Sequence, residues 1–247
     1  MKADPTAQLR LLDLQAEDTA IAQLEHRRRS LPEHAALAEA RTTRARLSED
    51  LVGARTRVGD LQLDVEKAEA DLVPVRERQA RDQQRVDAGT VTDPKQLSAM
   101  LDEIAHLARR ISDLEDIELE VMEQLETATA EQDRQAAELT ELEDSMRALI
   151  ASRDAQVAEL DSELAVHQGG RDGIAGEIPA DLLALYDRIR GRSGGLGAAE
   201  LKGRRCGGCQ LEATANALAA YAEAAPDEVL RCEECERVLV RTAAVLA

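Results

Sequence analysis

The stretch Val86-Asp-Ala-Gly-Thr-Val-Thr-Asp-Pro-Lys-Gln96 separates two long apolar repeats and predicts the tip of a helical hairpin. Gly89 breaks a helix, Asp93 is suited to cap the next one, and Pro94 fits the first turn of that helix. Three residues after Asp93, a glutamine completes the capping-box pattern. We therefore expect one helix to end and another to begin near 87–94.

On both sides of this tip, apolar residues recur three and four residues apart. The first series covers 51–75, and the second covers 100–125 and resumes over 139–149. This is the a/d spacing of a coiled coil. The sequence therefore predicts a mainly α protein in which 6–167 forms a long antiparallel coiled-coil helical hairpin.

The charge pattern favours the same pairing. Folding the chain at about position 91 places segment 26–58, which carries eight arginines, beside the acidic segment 124–156. Each exposed ion pair contributes only ~0.2–1 kcal/mol, but the pattern can fix the antiparallel register. The hairpin therefore explains these arginines better than nucleic-acid binding does.

Proline and glycine mark further boundaries. Ser30-Leu-Pro-Glu33 predicts a break near 30–32 followed by a new capping box, whereas Pro74 predicts a kink in a helix that continues. The glycine-rich stretch 169–176 predicts that the second arm ends at Gln168.

These signals divide the chain into three parts. The hairpin occupies 1–170, and the terminal module occupies 199–247. Between them, 171–198 is predicted to be a linker with an amphipathic helix over 180–190 and a flexible connection over 191–197. Within the terminal module we expect a helix over 211–224 and short strands over 229–232 and 237–241.

The four cysteines of the chain form two matched pairs, Cys206-Gly-Gly-Cys209 and Cys232-Glu-Glu-Cys235. Two such pairs about twenty residues apart supply the four thiolates of a closed tetrahedral Zn²⁺ site, the spacing of a zinc ribbon. A redox dithiol and four buried structural thiols are the alternatives. A closed site with one structural Zn²⁺ favours a binding module over a metalloenzyme.

Composition excludes several classes of protein. The chain has no Trp, no Phe and two Tyr, and 32% of its residues are charged, which favours long helices with narrow apolar stripes. A net charge of −18 disfavours non-specific binding of nucleic acid or an anionic membrane by the whole chain. The chain has no apolar run of membrane-spanning length and no signal-peptide pattern at its start. We expect a cytoplasmic protein, because zinc-binding thiolates prefer a reducing compartment.

No stretch of the sequence predicts an active site or a small-molecule substrate. The stretch 191–195 matches the G-x-S-x-G pattern of hydrolases, but a helix precedes its serine and glycines follow, so a linker is the better interpretation. We therefore predict that the protein is not an enzyme. Four histidines without a paired carboxylate are expected on solvated helix surface: His26, His34, His106 and His167.

A basic cluster brackets the linker and continues into the terminal module. Its residues are candidates for contacts with nucleic acid or a protein partner, and the other interpretation is that they offset the −2 charge of four thiolates and one Zn²⁺. The candidates are Arg188, Arg190, Arg192, Lys202, Arg204, Arg205 and Arg237.

Three motifs together resemble a known family. They are Asp93-Pro-Lys-Gln-Leu-Ser-Ala-Met-Leu-Asp-Glu-Ile104, then Ile111-Ser-Asp-Leu-Glu-Asp116, then two CxxC knuckles ending in Arg237-Val-Leu. The sequence is similar to the bacterial coiled-coil plus C4-type zinc-ribbon family, domain of unknown function 164, and its Ala- and Arg-rich composition resembles an actinobacterial member.

This resemblance implies a helical hairpin with a zinc ribbon, no enzymatic activity and an adaptor role. Better-studied members act in flagellar gene expression, through a sigma factor and a messenger RNA, or are linked to type III secretion. A protein partner in a regulatory or secretion-related assembly is therefore the expectation, with nucleic acid as the alternative. The sequence departs from the usual knuckle in one respect, because Gln210 and Glu236 stand where glycine commonly follows the second cysteine.

Overall fold

The computed structural model describes residues 1–242, and most of them are helical. The predicted fold class is confirmed: a long helical hairpin is followed by a small sheet that carries the cysteines. In chain order the elements are α1 (Pro5–Arg29), α2 (Pro32–Asp87), α3 (Pro94–Glu177), α4 (Ala180–Arg192), β1 (Ala198–Lys202), β2 (Arg205–Cys206), α5 (Ala215–Glu223), β3 (Leu230–Arg231) and β4 (Val238–Val240). Within residues 1–242, no helix has the length and hydropathy needed to cross a membrane.

The chain forms two compact units. One contains Met1–Ala35 together with the chain from Ile150 onward, and the other contains Ala36–Leu149. We call them the base unit and the hairpin unit. The long helices α2 and α3 each contribute to both units.

The tip of the hairpin unit is built as the sequence predicts. Helix α2 ends at Asp87, and Gly89 adopts a φ of +66°, a left-handed conformation that favours glycine. The Asp93 carboxylate accepts hydrogen bonds from the backbone N–H groups of Lys95 (2.8 Å) and Gln96 (3.4 Å). Asp93 therefore caps α3 and satisfies two N–H groups that lack a partner within the helix.

A narrow apolar seam joins α2 and α3 in the hairpin unit. Val58 and Leu61 are buried against Ala128, with Val121 and Leu125 packed beside them. All of these residues except Ala128 belong to the predicted a/d series, so the coiled-coil pairing is confirmed. The helix continues through the proline at position 74, as predicted.

Ion pairs join the long helices, and one of them, Arg44–Glu143, lies between the two segments whose opposite charges predicted the pairing. Most are partly exposed, so each contributes little on its own and together they favour one register. Between α2 and α3 the hairpin unit contains Arg44–Glu143 (2.7 Å), Arg76–Glu115 (2.6 Å) and Arg78–Glu103 (2.7 Å). In the base unit, Arg28 of α1 pairs with Asp161 of α3 (2.6 Å).

The break between α1 and α2 is confirmed, but the predicted capping box is wrong. Ser30 does not cap α2; its hydroxyl donates to the carbonyl of His26, at the end of α1 (2.8 Å). The Glu33 carboxylate instead accepts hydrogen bonds from Ser152 (3.1 Å) and Gln156 on α3. Contacts with a neighbouring helix have replaced the local hydrogen bonds that the sequence motif suggested.

The predicted end of the second arm is also wrong. Helix α3 continues past Gln168 to Glu177, through all four glycines of the stretch. Each glycine disfavours the helix by about 1 kcal/mol relative to alanine, but tertiary contacts offset this. Arg171 forms an ion pair with buried Asp18 (2.8 Å), and Ile174 packs against the core.

The base unit is built around a four-stranded sheet of order β2-β1-β4-β3. Strand β1 pairs parallel to β4 and antiparallel to β2, and β3 pairs antiparallel to β4. Leu11 and Leu14 of α1 pack with Leu182 and Ile189 of α4 and with Val238 of β4, and all five are essentially fully buried. Thus α4 belongs to a hydrophobic core together with the sheet.

The predicted elements of the terminal module are partly confirmed. Strands β3 and β4 lie inside the predicted ranges, but α5 begins only at Ala215, because the Thr214 hydroxyl accepts a hydrogen bond from the N–H of Ala217 (3.2 Å) and caps it there. Strands β1 and β2 were not predicted.

Candidate metal centre

The four cysteines come together at one end of the sheet. All four Sγ atoms lie within 4.8 Å of one another. The separations Cys206–Cys235 and Cys209–Cys232 are both 3.9 Å. Four thiolates at ~2.3 Å around a tetrahedral Zn²⁺ have sulfur–sulfur distances of about 3.8 Å. The donor set and its spacing therefore fit a closed four-thiolate site.

The two knuckles use the same backbone turn. The N–H of Gln210 donates to the carbonyl of Cys206, and the N–H of Glu236 donates to that of Cys232 (both 2.9 Å). Gln210 and Glu236 have φ values of +63° and +59°. The positive φ that glycine usually supplies is thus kept by two L-residues, at about 1–2 kcal/mol each. The departure from the usual motif leaves the knuckle geometry intact.

Both glycines of the first knuckle are required by close packing. A Cβ atom on Gly207 would lie 2.9 Å from the carbonyl oxygen of Glu200. A Cβ atom on Gly208 would lie 2.7 Å from Cδ of Arg237 and 3.2 Å from Cβ of Ala199. The turn can therefore lie this close to β1 and to Arg237 only because positions 207 and 208 carry no side chain.

The sheet fixes the position of each knuckle. Cys206 is the last residue of β2 and pairs with Leu201 of β1. Cys232 follows β3, and its N–H donates to the carbonyl of Arg237 (3.0 Å). Both cysteines are buried with Leu239 in a small apolar cluster. The first knuckle follows β2 and the second follows β3. Because β1 and β4 pair in parallel and each edge strand is antiparallel to its neighbour, β2 and β3 end at the same end of the sheet, which brings the two knuckles together.

The environments of the thiols differ. Burial raises the pKa of Cys206, and burial raises the pKa of Cys232 to about 12. Burial also acts to raise the pKa of Cys235, but hydrogen bonds from the backbone and side chain of Arg237 outweigh it and bring that pKa to about 7. Of these three thiols, Cys235 therefore has the lowest pKa.

Glu233 of the second knuckle also holds helix α5. Its carboxylate accepts hydrogen bonds from the backbone N–H of Thr214 (2.8 Å) and from the Thr214 hydroxyl (3.2 Å). Thr214 in turn caps α5. The pattern Cys-Glu-Glu-Cys gave no indication of this role, which depends on a residue nineteen positions away in the sequence.

The predicted basic cluster is divided among separate contacts. Arg188 and Arg205 are exposed and have no ion pair within residues 1–242. Arg237 donates to two backbone carbonyls. The remaining four form ion pairs, namely Arg190–Asp18 (2.9 Å), Arg192–Glu236 (2.6 Å), Lys202–Glu200 (3.7 Å) and Arg204–Glu212 (2.8 Å).

The connection over 191–197 is not a free linker, contrary to the prediction. The amide oxygen of Gln15 on α1 accepts a hydrogen bond from the N–H of Gly197 (2.7 Å), and its amide nitrogen donates to the carbonyl of Gly195 (3.0 Å). A Cβ atom on Gly197 would lie 2.7 Å from the ring of Tyr186. These contacts hold the chain at the point where it enters β1.

A buried carboxylate lies beside this connection. Asp18 is 1% exposed, and it accepts hydrogen bonds from the Tyr186 hydroxyl (2.6 Å) and Arg171 (2.8 Å) and pairs with Arg190 (2.9 Å). Burial, and then the hydrogen bond to Asp18, raise the pKa of Tyr186. Sequence reasoning did not identify Asp18. Its place in the apolar spacing of α1, between Leu14 and the next buried position, is the signal that could have found it.

One histidine is paired, against expectation. His167 lies 2.6 Å from the carboxylate of Glu17, measured from Nδ1 to Oε2. Because Glu17 is far away in the sequence, on α1, the pairing depends on helix packing. The sequence pattern around His167 could not predict it.

The fold and the cysteine cluster define a class: coiled-coil hairpin proteins with a small cysteine-bearing sheet. Residues 14–194 match the CT398-like coiled coil hairpin domain, and the chain belongs to that family. The resemblance inferred from the sequence is thus confirmed for the hairpin. The match ends before the first cysteine, so it does not bear on the zinc ribbon.

Two uncharacterized mycobacterial proteins are similar to the chain over most of its length. Rv2229c of Mycobacterium tuberculosis is 34% identical over 241 residues, which cover 98% of each chain. ML1638 of Mycobacterium leprae is 31% identical over 220 residues, covering 88% of this chain and 93% of the relative. These relatives agree with the prediction of an actinobacterial family member.

Solved structures share the fold. A protein from Mycobacterium smegmatis superposes with a TM-score of 0.82 at 33% identity, covering 98% of this chain and all of the other. CT398 from Chlamydia trachomatis has a TM-score of 0.67 at 15% identity, covering 96% and 98% of the two chains. HP0958 from Helicobacter pylori has a TM-score of 0.51 at 17% identity, covering 97% and 98%. At such low identities the last two show the fold alone.

Proposed function

We propose that the chain binds one structural Zn²⁺ through Cys206, Cys209, Cys232 and Cys235. The observation that carries this proposal is the convergence of four Sγ atoms to within 4.8 Å, with two separations of 3.9 Å. Thiolate sulfur is a preferred ligand of Zn²⁺, and four thiolates leave no position for water or substrate. The ion would stabilise the fold of the module rather than perform chemistry.

The zinc proposal is tested by metal content and thiol reactivity together. Protein purified under reducing conditions is expected to carry one zinc per chain and four thiols that react only after chelation. Cys206→Ser and Cys232→Ser are expected to lose the metal, whereas Arg205→Gln, an exposed neighbour of Cys206, is expected to keep it. Zinc retained by the double cysteine variant would contradict the assignment. Rapid disulfide formation under mild oxidant with metal present would favour a redox dithiol.

We further propose that the protein is a non-catalytic adaptor that binds a protein partner in the cytoplasm. A closed thiolate site supports a binding role over catalysis. The hairpin unit supports protein contacts, because its seam is narrow and large apolar side chains such as Val52 (59% exposed) and Leu63 (64% exposed) lie outside it. Zinc-binding thiolates prefer a reducing compartment, which supports a cytoplasmic location.

The partner class is tested by co-purification from the native cytoplasm, with both protein and RNA identified. A protein partner is expected to persist in high salt and after nuclease treatment. Nucleic-acid binding predicts an association that falls steeply with salt. It also predicts loss of binding in a double variant of Arg188→Gln and Arg205→Gln, the exposed cations of the basic cluster. Arg204→Gln is the matched control, because Arg204 is paired with Glu212.

A further inference from the structure

Arg237 differs from the other basic residues near the cysteines. It is half-buried and forms no ion pair with a carboxylate within residues 1–242. Its Nε donates to the carbonyl of Leu196 (3.0 Å), and a terminal guanidinium nitrogen donates to the carbonyl of Ser193 (2.8 Å). The two carbonyls fix the position of the guanidinium but do not neutralise its charge.

Arg237 contacts both knuckles. Its Cδ fills the space beside Gly208, where a Cβ atom would lie only 2.7 Å away. The N–H of Gly208 in turn donates to Sγ of Cys206 (3.4 Å). At the second knuckle, the backbone carbonyl of Arg237 accepts a hydrogen bond from the N–H of Cys232 (3.0 Å).

The position of Arg237 is suited to offset the negative charge that a zinc-loaded site would carry. Four thiolates and one Zn²⁺ carry a net charge of −2. A fixed cation beside a partly buried anionic cluster is favourable, because screening by solvent is weak there. Groups outside the ligands orient them and tune the metal, and their loss commonly lowers affinity by ~10–100-fold.

We propose that Arg237 is a positioning residue for the metal centre, which holds the two knuckles in register and offsets the negative charge of the thiolate cluster. This inference rests on the proposed zinc site. It assigns Arg237 to the metal site and removes it from the candidate contacts for nucleic acid or protein.

The role is tested with Arg237→Gln and Arg237→Lys by competition with a chelator for Zn²⁺. Binding of Co²⁺, followed by its thiolate charge-transfer absorption, reports the four-sulfur geometry separately. The Gln variant is expected to bind Zn²⁺ ~10–100-fold more weakly. The Lys variant cannot donate to both carbonyls in the same fork, but because it keeps the positive charge it is expected to recover most of the affinity. Arg204→Gln, in the same module and paired with Glu212, is expected to match the wild type.

The outcomes distinguish the electrostatic role of Arg237 from a purely structural role of its side chain. Wild-type affinity in the Gln variant, or a Lys variant as weak as the Gln variant, overturns the electrostatic role. A Gln variant that fails to fold, judged by circular dichroism, leaves the decision to the Lys variant. Wild-type protein that binds neither Zn²⁺ nor Co²⁺ overturns the zinc site and this role together, whereas normal binding by both variants overturns the role of Arg237 alone.

Discussion

Asp18 shows how one residue can connect several elements of the base unit. It lies on the apolar face of α1 and is almost fully buried, yet it contacts Arg171 of α3 and both Tyr186 and Arg190 of α4. A buried carboxylate is tolerated only when it is paired and hydrogen-bonded. Here two hydrogen-bond donors and a second arginine satisfy it, so its value lies in fixing how three helices meet rather than in net stabilisation.

Replacing Asp18 is expected to destabilise the base unit. Asp18→Asn keeps the size of the side chain but leaves two arginines beside a neutral amide, and removing one partner of a buried ion pair commonly costs about 3–5 kcal/mol. The fall in the free energy of unfolding can be measured by chemical denaturation. Asp13→Asn, an exposed partner of Arg10, is the control and should change stability little. Equal effects of the two substitutions would contradict the structural role of Asp18.

Gly208 offers a second test at the residue scale. Gly208→Ala places a methyl group 2.7 Å from Cδ of Arg237 and 3.2 Å from Ala199, so the knuckle must shift. We expect weaker zinc binding and a melting temperature of the terminal module lowered by an amount equivalent to about 1–3 kcal/mol. Gly191→Ala is the matched control, because Gly191 is exposed on α4 and a Cβ atom there would meet nothing within 4 Å. Wild-type zinc affinity in the Gly208→Ala variant would contradict this prediction, because the turn would then accommodate the added methyl group.

The glycines of α3 give the prediction at the scale of the element. Gly173 has open space where a Cβ atom would lie, whereas a Cβ atom on Gly170 would lie 3.2 Å from the Glu17 carboxylate. Gly173→Ala is expected to stabilise the helix by about 1 kcal/mol. Gly170→Ala should stabilise the helix less, because the Glu17 side chain must move to make room for the added methyl group. Thermal unfolding of the two variants measures the difference, and destabilisation by Gly173→Ala would argue against a continuous helix there.

The helices were predictable and two of the strands were not, for physical reasons. The a/d repeat and the caps around Asp93 are local signals, so the hairpin and its tip follow from the sequence. Strand β1 reads Ala-Ala-Glu-Leu-Lys, a run of strong helix formers. It becomes a strand because it pairs with β4 on one side and β2 on the other. Local propensity carries no information about those partners.

Because local sequence carries no information about distant partners, only some parts of the metal centre were predicted. The four ligands follow from the CxxC spacing alone, because each motif places two thiolates close together within four residues. The contacts of Arg237 and Gln15 depend on residues far away in sequence, and no local pattern reports them. The sequence therefore identifies the donor atoms, and the structure identifies what holds them in place.

At the scale of the whole molecule, the start of the chain is tied to the cysteine-bearing sheet within the base unit. The N–H of Ala3 donates to the carbonyl of Asp227 (2.8 Å), and the N–H of Val229 donates to the carbonyl of Met1 (3.0 Å). Lys2 also pairs with Asp227 (2.9 Å). The sheet is therefore anchored to the first helix by its core and by the backbone of the terminus.

Chelation is expected to affect the two units differently. Removing the metal should loosen the knuckles and strands, because four uncompensated thiols replace a cross-link between them. The seam of the hairpin unit contains no cysteine, so its helices should remain folded. Hydrogen exchange measured with and without chelator tests this, with faster exchange expected in the sheet and unchanged exchange around Leu61. Uniform loss of protection in both units would contradict the expectation.

Native mass spectrometry of the full chain, purified under reducing conditions, tests the four-thiolate zinc site most directly. A loaded site predicts one Zn²⁺ per chain, bound with the loss of thiol protons, and release of that ion in the Cys206→Ser and Cys232→Ser variants while Arg205→Gln keeps it. A chain that carries no metal, or one whose mass is lower by four hydrogens because two disulfides have formed, would contradict the account.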